Sequence, residues 1–310
     1  KIVSLLPNAT EIVYALGYGH QLVGRSHECD YPAEIQDLPV CTKPKVMPEG
    51  PSKTIDANVQ NLVQQGLSVY EVDGEQLRAL QPDLIITQMQ CELCAASPKD
   101  VDAAVSAHLD YQPRVVALSP NYLQDVWEDI HRIGDALGQA ALSKALTQQL
   151  QGEIDTIAQQ ATNMPHQPRT ALIEWIDPVM YAGNWMPRLV SYAGGINLFT
   201  DEGAHSPMSS LSAVLEADPD KIVVIPCGFD MQQTIAEMPT LTNAPEWELL
   251  TAVRNNEVYL ADGHQYFNRP GPRLVDSVRI LAEILHPGTF DFGYYPGGWQ
   301  QWSALTPASG

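Results

Sequence analysis

The stretch from Ala140 to Met164 constrains this chain more than any other. Leu142, Leu146, Leu150, Ile154 and Ile157 recur at steps of four or three residues, which sets them on one face of a helix. Only Gly152 interrupts the run before Pro165, and proline cannot continue a helix. At 1.5 Å per residue, roughly 22 residues make a rod about 33 Å long, the width of a small domain. A rod in this place divides the chain into parts of comparable length. The expected organisation is an N-terminal lobe over 1–139, a linking helix over 140–164, a C-terminal lobe over 165–286 and an aromatic, Gly-rich tail over 287–310.

Strand and helix signals alternate on both sides of the rod. Ile2–Leu6, Leu22–Gly24, Pro82–Thr87 and Val115–Leu118 read as strands in the first part; Thr170–Ile173, Lys221–Ile225 and Val258–Leu260 do so in the second. Helical patterns separate them, among them Thr10–Leu16, Leu123–Leu137, Leu211–Ala217 and Arg273–Leu285. This alternation predicts an α/β fold: two Rossmann-like lobes with mostly parallel sheets, joined by one long rigid helix. There is also an internal echo. Leu80-Gln81-Pro82-Asp83-Leu84-Ile85-Ile86 matches Ala217-Asp218-Pro219-Asp220-Lys221-Ile222-Val223, each a helix end, a Pro-Asp turn and a buried strand. The tail from Pro287 has no usable period.

Composition excludes several roles. Hydrophobic residues make up 45% and charged residues 17% of 310, the balance of an ordinary globular protein. Net charge is −20 and the 17 Lys and Arg are dispersed, which argues against a nucleic-acid partner. Apolar runs such as Ile222–Ile225 are of strand length and too short to cross a bilayer as a helix. The five Cys are an odd number, so at least one is unpaired within the chain.

In open α/β sheets ligands bind beyond the carboxyl ends of the strands. That rule gathers His27, Glu28 and Cys29 after one strand, and Gln88, Gln90, Cys91, Glu92 and Cys94 after another. From the second lobe it gathers Trp175 and Asp177, then His264, Tyr266, Phe267 and Arg269. Two lobes facing each other across such loops would form a cleft with aromatic walls and polar tips, suited to a large, partly apolar organic ligand. Cys91-x-x-Cys94 has spacing for a metal or a redox dithiol, but a second matching pair is lacking. Cleft residues without a metal role, a local disulfide, and metal ligation with His27, Cys29 and His264 all remain open readings for these side chains. Glu28 and Glu92 could act as an acid–base pair; the preferred reading is that they are solvated or hydrogen-bond a ligand amide.

The opening Ser4-Leu5-Leu6-Pro7-Asn8-Ala9-Thr10-Glu11, with Leu16-Gly17, Val23-Gly24-Arg25-Ser26 and Asp30-Tyr31-Pro32, resembles the start of the cobalamin- and siderophore-binding proteins of ABC importers. Leu80–Ile85, Ala193-Gly194-Gly195-Ile196-Asn197 and Ala217–Asp220 resemble later segments of that family in the same order, so the likeness runs from Ile2 to about Leu285. It implies two lobes on one long helix with little hinge motion, and a binding protein rather than an enzyme. Its ligand would be a corrinoid (cobalamin or a precursor), transported unchanged, with no other cofactor required, and its partner an ABC permease serving a monomeric binding protein. By this likeness Trp175 stands at an aromatic wall, and Tyr266, Phe267 and Arg269 lie in the ligand loop of the second lobe. Lys43 takes the place of a Trp that the vitamin B12-binding members pack on their ligand. The Glu of each lobe that those members use to engage their permease is not clearly kept; the places hold Pro98, Lys99 and Asp100, and Ser212 with Glu216.

Two other readings stand beside it: a carrier of ferric siderophore or haem, with Arg269 and Lys43 meeting an anionic ligand, or an intracellular metal- or thiol-dependent protein on the same scaffold. The family implies a periplasmic or otherwise extracytoplasmic setting. No leader is visible before Lys1, which leaves a cytoplasmic one as the alternative.

Overall fold

The computed structural model describes residues 1–46, 50–65, 68–89 and 96–303. The chain forms two compact units. The first comprises Lys1–Pro120 and Gln124–Leu150; the second comprises Asn121–Leu123 and the chain from Gln151 onward. Each is α/β.

The first unit contains β1 (Ile2–Ser4), β2 (Leu22–Arg25), β3 (Thr42–Pro44), β4 (Tyr70–Val72), β5 (Leu84–Gln88) and β6 (Arg114–Leu118). Four of them form a wholly parallel sheet in the order β2-β1-β5-β6. Strands buried on both faces read as continuous apolar runs, and β5 is buried at every position. The core beneath it gathers Val3, Leu5, Leu77, Ile85, Val101 and Val105. The first helix starts at Pro7, three residues earlier than expected, because the fixed φ of proline suits the first helical position. β3 and β4 form a separate antiparallel pair. β3 lies in the Pro-rich connection, where the pattern gave no strand, and Pro44 sits at its end where no ladder donor is needed.

The second unit contains β7 (Arg169–Trp175), β8 (Met180–Tyr181), β9 (Ile196–Asn197), β10 (Lys221–Val224), β11 (Val258–Ala261) and β12 (Trp299–Gln301). The order is β12-β11-β10-β7-β8, with β9 on β7. β7, β10, β11 and β9 are parallel, while β8 and β12 run antiparallel at the edges. β12 lies in the aperiodic tail: the segment after the helix Leu274–Leu285 folds back and adds a strand to β11.

The long helix spans Ala140–Thr162 and stops before Pro165, close to expectation. Its buried face differs in the first half. Leu142 is 46% exposed, whereas Ser143, Thr147, Leu150, Ile154, Ile157 and Ala161 are buried. The cause is the neighbouring helix Leu123–Ala136. A Cβ on Gly134 would lie 2.4 Å from the Ser143 Cβ, so glycine lets the two backbones approach closely. His131 then shares hydrogen bonds with both hydroxyls, Nδ1 with Ser143 and Nε2 with Thr147, each at 3.3 Å. Paired hydroxyls can be buried where larger apolar side chains would not fit.

The internal echo has a structural counterpart. Gln81 and Asp218 end their helices in the left-handed region at φ 51° and 42°. Asp83 N–H donates to the Lys1 carbonyl at 2.9 Å while its Oδ2 accepts from the Lys1 nitrogen at 2.7 Å. In the second unit Asp220 N–H donates to the Arg169 carbonyl at 2.8 Å and its Oδ2 accepts from the Arg169 N–H at 2.8 Å. The strand that follows then pairs in parallel with the one just clasped, β5 with β1 and β10 with β7.

Candidate functional site

Each unit carries a polar-aromatic face at the carboxyl ends of its parallel strands. In the first, β2 runs into the loop from Ser26 to Asp30. Arg25 holds this loop, donating from Nη1 to the carbonyls of Ser26 and Cys29, each at 3.1 Å, and from Nη2 to that of Gln36 at 2.9 Å. The His27 ring meets Thr42 Oγ1 through Nδ1 at 2.7 Å, and its backbone N–H donates to the same oxygen at 3.1 Å. Tyr70 OH donates to Glu28 Oε1 at 3.0 Å and its ring lies 5.4 Å from that of His27. Burial lowers the His27 pKa, the Arg25 charge lowers it further, and the Thr42 contact opposes both. The neutral ring is therefore favoured at neutral pH.

Two expectations change here. Cys29 is 1% exposed and its thiol turns inward, accepting from Thr10 Oγ1 at 3.1 Å beside Ser26 Oγ at 3.4 Å. It packs in the core and does not join His27 as a ligand. Lys43 is exposed, with Asp73 Oδ2 3.9 Å from its Nζ. Strand alternation places Thr42 toward His27 and turns Lys43 away. Gln90, Cys91, Glu92 and Cys94 lie outside the described residues.

In the second unit three loops converge. Trp175 ends β7 half-buried, edge-on to Phe229 at 5.3 Å, and its buried indole N–H has no hydrogen-bond partner among the described residues. Glu174 beside it accepts from Ser206 Oγ at 2.7 Å, and burial pushes its carboxyl pKa up. Asp177 is half-buried in the turn that follows, before the cis proline Pro178. After β11, Asp262 Oδ1 accepts from the backbone N–H groups of His264 and Gln265 at 3.0 and 2.7 Å, folding the loop on itself. Gly263 permits the close pass: a Cβ there would sit 2.2 Å from the Pro226 carbonyl oxygen. Arg269, 6% exposed, reaches back so that Nη2 lies 3.0 Å from His264 Nε2.

Tyr266 is half-buried, with the Arg273 guanidinium 5.6 Å from its ring centre. Phe267 contradicts the expectation of a ligand wall, since it is 0% exposed. Its backbone, at φ 52°, turns the ring into the core, where Ser277 Oγ accepts from its N–H and Trp185 Nε1 donates to its carbonyl. A ring without accessible surface cannot stack on a ligand.

Metal ligation by these residues gains no support: among the described residues no group of three or more His, Cys, Asp or Glu converges. The His264 lone pair at Nε2 is engaged by Arg269. Thr42, Tyr70, Phe229 and Arg273 support His27, Glu28, Trp175 and Tyr266 by contact; sequence reasoning did not find them, because their positions are set by long-range pairing and leave no local signal. Among the described residues, no helix is long and apolar enough to cross a membrane.

Parallel sheets with polar-aromatic loops at the carboxyl ends of their strands place such loops where open α/β folds bind ligands. The chain belongs to the periplasmic binding protein family, which it matches over residues 2–264. It is 25% identical to an ABC transporter substrate-binding lipoprotein of Bacillus subtilis, over 94% of this chain and 81% of that one. It is 28% identical to the vitamin B12-binding protein of Vibrio cholerae, over 92% of this chain and 88% of the relative. Among solved structures it resembles S. aureus IsdE complexed with heme, with a TM-score of 0.69 and 17% identity over 92% of this chain and 98% of the other. That last likeness shows the fold alone.

Proposed function

We propose that this chain is the substrate-binding component of an ABC importer, acting outside the cytoplasm, and that it carries a corrinoid, cobalamin or a precursor, without converting it. One observation carries the reading: 28% identity along 92% of the chain with a protein named for binding vitamin B12. The chemistry of the two faces agrees with it. Half-buried Trp175 and Tyr266 offer aromatic surface for the corrin. His27, Glu28, Asp177, His264 and Arg269 offer polar groups for the amide side chains, and Gln90, Cys91 and Glu92 join them as candidates on sequence grounds.

Isothermal titration with cyanocobalamin tests this. A saturable one-to-one heat at micromolar protein is expected. A silent titration with cyanocobalamin and hydroxocobalamin, together with a Soret shift on adding hemin, would move the ligand class to haem.

A further inference from the structure

We infer that the C-terminal segment belongs to the binding apparatus of the second unit, with Tyr294 as the positioning residue for Tyr266. The family match ends at residue 264, so this segment lies beyond it. Two contacts join the segment to the loop after β11. The carbonyl of Gly298 accepts from the N–H of Asp262 at 3.0 Å, and Asp262 is the residue whose carboxylate folds that loop. The ring of Tyr294 stands edge-on to Tyr266, 5.8 Å between centres at 88°.

Tyr294 is itself fixed from behind. Its hydroxyl donates to Asp276 Oδ1 at 2.5 Å, and Arg279 bridges the same oxygen, at 2.9 Å, to Glu153 of the long helix, at 2.7 Å. Tyr266 thus has the guanidinium of Arg273 over its ring and a T-shaped contact with Tyr294, both of them favourable aromatic geometries. Arg273 also donates to Gln265, the residue before Tyr266, at 3.0 Å. A half-buried tyrosine held on two sides has little rotamer freedom left to lose when a ligand packs on it, and that is how a buttress raises affinity without touching the ligand. The effect on affinity rests on the proposed function; the effect on the loop does not.

The test uses the full chain and compares Tyr294→Leu, which removes the ring, with Tyr294→Phe, which keeps it. Backbone hydrogen exchange read by mass spectrometry should rise about tenfold over 264–268 in Tyr294→Leu, with β7 and β10 unchanged, and much less in Tyr294→Phe. Cyanocobalamin affinity should fall about tenfold in Tyr294→Leu and within about threefold in Tyr294→Phe. Unchanged exchange over 264–268 in Tyr294→Leu overturns the inference, and so does unchanged affinity in a protein whose wild type binds the probe. If the wild type binds neither cyanocobalamin nor hemin, the functional reading fails, and the exchange measurement alone decides the role of Tyr294.

Discussion

Arg269 donates from Nη2 to Nε2 of His264 across 3.0 Å. A guanidinium is a donor only, so the imidazole must accept there and carry its ring proton on Nδ1. The pair is a built feature of the loop after β11 and gives the first prediction. Arg269→Ala should cost about 2–3 kcal/mol in urea unfolding, because it removes a charged hydrogen bond and opens a gap where a buried side chain stood. Arg269→Lys should recover less than half of that, since an ammonium cannot reproduce the planar fork. Equal midpoints for all three proteins would show that the contact is not made in solution.

Asp129 sets a pH dependence. It is 1% exposed on the helix Leu123–Ala136, paired to Arg132 through Oδ1, and burial pushes its carboxyl up to about 7 against the pull of that arginine. In the unfolded chain an aspartate titrates near ~3.9. Between those values the folded chain holds a proton that the unfolded chain releases. Stability therefore falls as pH rises from about 4 to about 7, by roughly 3–4 kcal/mol over the full window. Asp129→Asn should remove this component of the slope and make the protein more stable than wild type at pH 8. Parallel stability curves for the two proteins between pH 5 and pH 8 would refute the assignment.

Thiol reactivity should divide by depth. Cys29 and Cys41 are buried, and burial raises both pKa values, that of Cys41 to about 12 with the Asp73 charge adding to it. Cys227 is exposed. Only a thiolate attacks an alkylating agent, so iodoacetamide at pH 8 should modify Cys227 in the native protein and reach Cys29 and Cys41 only after denaturation. Peptide mapping reads each site; native labelling of Cys29 as fast as Cys227 would contradict its inward orientation.

Glu283 ties down the C-terminal segment. Although 4% exposed, its carboxylate accepts from Phe292 N–H at 2.5 Å, Tyr294 N–H at 3.4 Å and Trp299 Nε1 at 2.5 Å. All these partners are donors. Glu283→Gln would set an amide NH2 against one of them, costing about 2 kcal/mol and loosening the segment. Limited proteolysis should then cut the chain between Pro287 and Gly298 much faster than in wild type; resistance equal to wild type would remove Glu283 from that role.

Much of the architecture was legible because Pro-Asp turns and unbroken apolar runs announce buried parallel strands, as at Pro82-Asp83 and Pro219-Asp220. β12 was not, because three residues have no period and become a strand only when the tail folds back on β11. The first half of the long helix misled for another reason. Leu142 and Leu146 follow the apolar period, but Ser143 and Thr147 occupy the buried face because His131, distant in sequence, satisfies them. At the candidate site, the rule that ligands meet the carboxyl ends of strands picked out the loops that carry His27, Trp175 and Tyr266. It could not separate Tyr266 from Phe267, whose left-handed backbone sends its ring inward.

The twin clasps made by Asp83 and Asp220 sit where their strands begin, at the end of each sheet opposite the polar-aromatic loops. Anchorage and recognition are thereby kept at opposite poles of one small module used twice. Selection for a new cargo can rewrite the loops of either copy while the fastening that starts its sheet stays untouched, so two halves with a shared scaffold are free to learn different surfaces.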